Sequence, residues 1–171
     1  MKRVLVTYMS PHGATRGIAE RIAARLRERE LRVDCVPMEQ FPAITAYDAV
    51  VMGSALYDRT WTPEAAGFVN LHAADLAARP VWLFSVGMAD ALPRPARRLA
   101  AKEGPMSVAP FLDTVHPRDT RLFSGRVGKR QFSRMSRVLL RLIGARYGDF
   151  RDWRAIDAWS AEIAGELLGP G

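Results

Sequence analysis

Short apolar runs alternate along this chain with segments of helical periodicity, and that alternation constrains the fold more than any other feature. Strand-like runs separated by helices predict parallel strands, because each helical crossover returns the chain to the same end of the sheet. Five such runs occur, at residues 4–8, 32–38, 49–52, 81–86 and 122–127. We therefore predict an α/β fold with a doubly wound, five-stranded parallel sheet of strand order 2-1-3-4-5.

Helical periodicity fills the intervening segments, at about residues 15–30, 63–76, 95–103 and 152–168. The last of these helices has Ile156, Trp159, Ile163 and Leu167 on one stripe. Residues 126–150 do not fit a minimal five-strand unit, so we interpret them as a basic insertion near the last strand. The length of 171 residues, without internal repeats or a low-complexity linker, predicts a single domain over residues 1–171.

The formal net charge of +7 favours anionic partners, although charge alone does not choose among an acidic substrate, nucleic acid and an anionic membrane. Cys35 is the only cysteine, which excludes an internal disulfide and a cysteine zinc site, and we assign no metal site. The first apolar run is too short for a secretory signal, and no window has the length of a membrane span. We expect a cytoplasmic protein.

The segment directly after the first strand has the composition of a phosphate-binding loop. Its serine and threonine supply hydroxyls, Gly13 permits close backbone approach, and the following helix presents free N–H groups and a favourable dipole. The segment lacks the GK[ST] ending of a nucleoside triphosphate loop and the GxGxxG of a dinucleotide site. It comprises Ser10, Pro11, His12, Gly13, Ala14 and Thr15. The alternative is a capped turn that only opens a helix.

Two further segments, which we predict to be loops, stand at the ends of predicted strands and would meet the first one at the same edge of the sheet. One follows the third strand and comprises Gly53, Ser54, Ala55, Leu56 and Tyr57. The other ends the fourth strand and comprises Ser85, Val86, Gly87 and Met88. Ligands of doubly wound folds bind beyond the carboxyl ends of the strands, so these three segments predict one binding site.

The three segments resemble the flavodoxin superfamily, whose phosphate loop has the form [ST]-x-[TS]-G-x-T. The likeness is closer to menaquinone-dependent protoporphyrinogen IX dehydrogenases, through SPHGATRGIAERIA, YDAVVMGSALYDRTWTPEAAGFV, VWLFSVGM and a basic insertion before a final helix containing tryptophan. The resemblance implies a flavodoxin-like fold that binds FMN. It places Ser10, His12, Gly13, Ala14 and Thr15 at the phosphate, and the other two segments beside the ring.

This resemblance implies that the flavin performs the chemistry, so we assign no catalytic side chain. Backbone N–H groups near Gly53 and Val86 are expected to contact the pyrimidine edge of the ring. Tyr57 and Trp61 could lie near the ring, or be ordinary packing aromatics. Two other doubly wound classes are excluded: a receiver domain needs an aspartate where this chain has Met52 and Gly53, and a tyrosine phosphatase needs a cysteine in its phosphate loop.

The predicted insertion interleaves cations with apolar residues, as a basic amphipathic helix does. Such a helix can lie on the inner face of the plasma membrane, present cations to carboxylates, or be the solvated face of a packed helix. The primary hypothesis is therefore an FMN-dependent oxidoreductase acting on a porphyrinogen-type substrate and a quinone. The alternatives are a general flavodoxin-like quinone reductase or electron-transfer flavoprotein, and a non-enzymatic binding module that has lost FMN. Nucleic acid is disfavoured because only Phe132 and Tyr147 could stack on bases.

Overall fold

The computed structural model describes residues 1–41 and 43–169. Within these residues the strands are β1 (Arg3–Met9), β2 (Arg32–Pro37), β3 (Ala49–Tyr57), β4 (Thr60–Trp61), β5 (Val81–Gly87), β6 (Asp119–Ser124), β7 (Arg126–Val127) and β8 (Gly148–Asp149). The α-helices are α1 (Ala14–Arg27), α2 (Pro63–Leu71), α3 (Ala73–Ala77), α4 (Arg94–Ala100), α5 (Glu103–Val115), α6 (Arg134–Leu142) and α7 (Trp153–Leu168).

The central sheet has the strand order β2-β1-β3-β5-β6, and all neighbours along this path are parallel. This is the predicted order 2-1-3-4-5, counted over the five long strands of the described residues. The short strand β4 adds an antiparallel pair to the end of β3. Strands β7 and β8 form a separate antiparallel pair within the predicted insertion. The predicted α/β doubly wound architecture is confirmed.

Each face of the sheet is covered by its own apolar core. Helices α1 and α7 cover one face, where Ile18, Ile22 and Ile163 are fully buried. Helices α2, α3 and α5 cover the other face through residues such as Leu76 and Phe111. Residues of β1 alternate between the two cores, as expected for a strand with helices on both sides.

The structure differs from the predicted elements at α5, β6 and β3. Helix α5 was not predicted, because Gly104, Pro105 and Pro110 disfavour helix, yet Val108 and Phe111 gain burial by adopting one. Strand β6 covers residues 119–124 instead of 122–127. Strand β3 continues five residues beyond the predicted end at position 52, through the segment predicted to be a loop.

Helices α1 and α7 are joined by an ion pair at the edge of their apolar contact. Both oxygens of Asp157 accept from Arg21 at 2.7 Å and from Arg25 at 3.0 Å. Hydrogen bonds from these two guanidinium groups hold the pKa of the Asp157 carboxyl well below its usual range. Because the group is only partly buried, solvent screens the interaction.

We expect Asp157→Asn to lower the melting temperature by a few degrees at neutral pH. The folded-state pKa lies below the unfolded value of about 3.9, so this stabilisation is complete above that value and lost as pH falls through the folded pKa. Thermal unfolding of both proteins from pH 7 to pH 3 measures the difference, which should shrink below about pH 4. A difference that stays constant down to pH 3 would contradict the assignment. Asp113→Asn, on the exposed side of α5, is the control.

Candidate functional site at the carboxyl edge of the sheet

The carboxyl ends of the four adjacent strands β1, β3, β5 and β6 meet in register. Met9 pairs with Ser54, which pairs with Ser85 of β5. Gly87 pairs with Ser124, the last residue of β6. The chain then stays at this edge, because the Gly125 N–H donates to the Gly87 carbonyl at 2.8 Å. The structure therefore brings the phosphate loop and the other two predicted segments to the same edge.

The predicted phosphate loop lies between β1 and α1. Gly13 has φ +84°, the left-handed conformation that glycine adopts without strain, and it immediately precedes the first residue of α1. The Ser10 hydroxyl accepts from the Arg16 N–H at 3.0 Å and so ties the loop to the first turn of the helix. Thr15 is buried, whereas His12 is exposed. The loop is both a helix start and a concave turn.

The electrostatics of this helix start favour an anion. The first turn of α1 contains no acidic residue, and Gly13 has no side chain to cap it. Ser10 accepts from the Arg16 N–H, so the N–H groups of Ala14 and Thr15 are the ones left for an anion. The unpaired N–H groups of a helix N-terminus attract negative charge. A phosphate monoester therefore fits the residues that are present.

Arg126 adds a cation to this loop that the sequence analysis did not identify. A methyl group built on Gly13 would lie 3.8 Å from the Arg126 Nη2, so the guanidinium is next to the turn. Arg126 forms no ion pair within the described ranges, but it has an acidic neighbour: Arg151, and to a smaller extent Arg126, hold the pKa of the Asp149 carboxyl below its usual value. Arg126 follows Gly125, at which a side chain would come within 2.8 Å of Val86 and 3.3 Å of Ala14.

The interpretation of residues 53–57 as a loop was wrong. Gly53 lies inside β3, paired with Tyr8 on one side and Phe84 on the other. The Phe84 ring occupies the space that a Gly53 side chain would need, so this glycine serves packing. Ser54 is fully buried, where its hydroxyl accepts from the Thr62 N–H and donates to the Ala55 carbonyl. The backbone donors expected at Gly53 and Val86 lie within the strand ladder.

The end of β3 turns back through a tight hairpin. Asp58 and Arg59 both have positive φ, 47° and 63°, and join β3 to β4. Tyr57 is 71% exposed before this turn, so its ring is free to contact a ligand. Trp61, by contrast, is a packing aromatic: it is buried against Phe111, with ring centroids 5.3 Å apart.

The third predicted segment, residues 85–88, was expected to be a loop, but its first three residues lie within β5 and only Met88 follows the strand. The Ser85 hydroxyl accepts from the Trp61 indole N–H at 2.9 Å and lies 2.8 Å from the Ser107 hydroxyl, so this side chain belongs to the core. Val86 is buried too, whereas Gly87 and Met88 are half-buried at the edge. The next turn is fixed by Asp90, which accepts from the Ser124 hydroxyl at 2.6 Å.

A cleft of about 520 Å³ lies beside this turn, along the outer side of β6. Asp90, Arg97 and Trp159 are among the residues that line it. None of the residues of the phosphate loop lines it within the described chain. The cleft is thus next to the site and separate from the phosphate position.

Titratable groups near β1 are held neutral by burial. Burial raises the pKa of the Cys35 thiol to about 11, which makes a thiolate nucleophile unavailable near pH 7. Burial also raises the pKa of Tyr8, next to the strand end. Both groups pack against the core and are protonated near pH 7.

The strand order of the central sheet, with the predicted phosphate loop after its first strand, is that of a flavodoxin-like fold. The chain belongs to the flavodoxin domain family, whose sequence model matches residues 5–152. Membership of this family implies a flavoprotein that binds FMN and transfers electrons. No curated protein sequence matches the chain.

Solved structures share the fold at low sequence identity. A flavodoxin from the domain Archaea aligns with a TM-score of 0.67 and 12% identity, covering 96% of this chain and 98% of that one. A cysteine-to-serine mutant of the flavodoxin from Pseudomonas aeruginosa has a TM-score of 0.63 and 14% identity, with 98% and 99% covered. Rubredoxin oxygen:oxidoreductase from Desulfovibrio gigas also has a TM-score of 0.63 at 14% identity; the match covers 98% of this chain and 36% of that one.

Arg126 is expected to strengthen FMN binding through the phosphate. We expect Arg126→Gln to weaken FMN affinity about tenfold at low salt, because a charge-assisted contact is lost, and less at high salt because exposed charges are screened. Riboflavin, which lacks the phosphate, should bind both proteins equally. Quenching of flavin fluorescence measures the affinities of the wild type and of Arg126→Gln for FMN and for riboflavin. Arg98→Gln on α4 is the control. An equal loss for FMN and riboflavin would rule out a phosphate contact.

Proposed function

We propose that this protein is an FMN-dependent oxidoreductase that oxidises a porphyrinogen-type substrate and passes the electrons to a quinone. One observation supports this assignment above the others: the flavodoxin-like edge bears a basic, apolar insertion that is joined to the turn after β5. The Arg146 N–H donates to the Ala91 carbonyl at 2.8 Å, which fixes the insertion beside the predicted ring position. Function is argued from this site, since the fold alone serves many activities.

In the proposed complex the phosphate loop holds the phosphate of FMN. The N–H groups of the first turn of α1 and the Arg126 guanidinium supply positive potential there. Ala55, Leu56 and Tyr57 on one side, and Gly87 and Met88 on the other, are the predicted neighbours of the ring. When bound, FMN supplies the hydride and single-electron chemistry that these side chains do not.

The insertion would act on the substrate through charge and apolar contact. Porphyrinogens carry propionate groups, and the arginines of the insertion are suited to pair with carboxylates. A quinone is apolar, and the exposed apolar side chains of α6 are compatible with it. The net charge of +7 also favours an acidic substrate. The cations of the insertion thus suit an acidic substrate, and its apolar side chains suit an apolar electron acceptor.

A flavodoxin-like quinone reductase or electron carrier is the second candidate. It is supported by the archaeal and Pseudomonas flavodoxins, which the chain matches over nearly their whole length. Carrier flavodoxins commonly dock on basic reductases through acidic surfaces, and this chain has the opposite charge balance. We therefore rank the oxidoreductase first and the binding module without FMN last.

Spectroscopy and turnover together test these assignments. We expect the purified protein to bind FMN with a flavin absorbance spectrum, and to oxidise protoporphyrinogen anaerobically when a menaquinone analogue is present. Reduction of the flavin by a nicotinamide or a ferredoxin reductase, and not by protoporphyrinogen, would select the carrier or quinone reductase. A purified protein that contains no flavin and does not bind added FMN would support the non-enzymatic binding module.

A further inference from the structure

Helix α6 is a basic amphipathic helix within the insertion. It begins after Ser133, whose hydroxyl accepts from the Ser136 N–H at 3.1 Å. It ends near Gly144, which has φ +77°. Five apolar residues recur at spacings of three and four, which places them on one face over an arc of about 140°. They are Met135, Val138, Leu139, Leu142 and Ile143, whereas Leu140 lies outside this face and is half-buried.

This apolar face has no partner in the described residues. No residue of α6 is buried. Met135 is 83% exposed and Leu142 is 78% exposed, while Val138 and Leu139 are each more than half exposed. A contiguous exposed apolar surface with polar edges marks an interaction site.

The polar face of α6 and the segments beside it carry positive charge. No acidic residue occurs between Asp119 and Asp149. The cations of the α6 region are Lys129, Arg130, Arg134, Arg137, Arg141 and Arg146. Within the described part of the chain, none of these six forms an ion pair. The surface therefore presents apolar side chains and unneutralised cations together.

The insertion holds this surface at the carboxyl edge of the sheet. The backbones of Arg126 and Asp149 are partners in the antiparallel pair of β7 and β8, and this strand pair closes the base of the insertion. Gly144 lies near Pro93, which precedes α4. The apolar face of α6 is consequently displayed from a fixed base.

We propose that α6 docks on an anionic lipid bilayer, with its apolar face in the headgroup–acyl boundary and its arginines on lipid phosphates. The combination of an apolar face and a cationic polar face is that of an interfacial helix. A second copy of the chain is a poor occupant, because a symmetric contact would set these arginines against each other. Nucleic acid would satisfy the charges but leave the apolar face exposed.

The proposed contact is peripheral. No helix in residues 1–41 and 43–169 is long and apolar enough to cross a bilayer. Binding should then fall with salt and require anionic lipid, because the cations supply attraction that the short apolar face alone does not. This inference does not depend on FMN or on the substrate, so it can fail while the proposed function holds.

Cosedimentation with vesicles tests the proposal. We expect the full chain to bind vesicles of phosphatidylcholine with about one third phosphatidylglycerol, and to bind pure phosphatidylcholine at least about tenfold more weakly. Leu139→Ser with Leu142→Ser, and separately the triple change Arg134→Gln, Arg137→Gln and Arg141→Gln, should each reduce binding by about tenfold or more. These side chains are not buried, so FMN affinity and the melting temperature should be unchanged.

Matched controls use exposed residues elsewhere. Leu71→Ser changes a leucine that is 80% exposed on α2. Lys2→Gln, Arg29→Gln and Arg32→Gln remove three cations near the amino end of the sheet. Equal losses in the control and α6 variants, or no binding to the anionic vesicles, would overturn the proposal. A wild-type dimer that Leu142→Ser converts to a monomer would also overturn it, by assigning the face to a second copy.

Discussion

Replacing Gly13 by aspartate is expected to weaken FMN binding by at least about 100-fold, or about 3 kcal/mol. The new carboxylate would stand at the turn where the phosphate is expected. Two unit charges about 4 Å apart repel by about 4 kcal/mol at an effective dielectric constant of 20, and the phosphate carries close to two charges. The left-handed φ of +84° adds backbone strain for any residue with a side chain.

Gly13→Asn separates charge from shape in this experiment. Asparagine matches aspartate in size and tolerates the left-handed conformation comparably, so its affinity loss reports strain and crowding only. Titration with riboflavin provides a second control, because the Asp and Asn variants should bind it equally. If both variants lose FMN affinity to the same extent, the phosphate does not lie at this turn.

The phosphate loop could be predicted from sequence because its determinants are local. A strand, a glycine-containing turn and an amphipathic helix follow each other within residues 4–30, and each has its own signature. The structure places the helix start at Ala14, one residue from the predicted start. The same local patterns restrict the strand order to a few topologies, and the predicted order 2-1-3-4-5 is the flavodoxin-like one among them.

The second segment could not be predicted in this way, because its conformation depends on distant residues. Gly53 reads as a loop glycine, but Phe84 from a neighbouring strand fills the space beside it. Asp58 and Arg59 form the turn with positive φ, although neither is a glycine. Ser85 similarly reads as a polar edge residue, whereas Trp61 and Ser107 satisfy its hydroxyl inside the core.

Arg126 was missed for a related reason. In the sequence it is one of several cations in the insertion, and nothing local distinguishes it from Arg130 or Arg134. Only the hydrogen bond between Gly125 and Gly87 brings it to the start of α1. Proximity across more than a hundred residues is a property of the fold, and a pattern within one segment does not encode it.

Gly53→Ala is expected to lower the free energy of unfolding by about 3 kcal/mol, through overpacking against the Phe84 ring. For a chain of this length that corresponds to a fall in melting temperature of about 10 °C. Gly67→Ala is the matched control, since nothing lies within 4 Å of the added methyl group in α2. Alanine is the better helix former, so this control should be neutral or slightly stabilising.

A double-mutant cycle with Phe84→Leu identifies the cause. Leucine is smaller than phenylalanine, so the combined variant should be less destabilised than the sum of the two single changes, by about 1 kcal/mol or more. Urea unfolding of the four proteins gives that coupling free energy. If the Gly53→Ala protein unfolds like the wild type and only FMN affinity falls, Gly53 contacts the cofactor as first predicted, and its role in packing against Phe84 is minor. If the losses are additive, the clash is relieved by backbone movement and not by the ring.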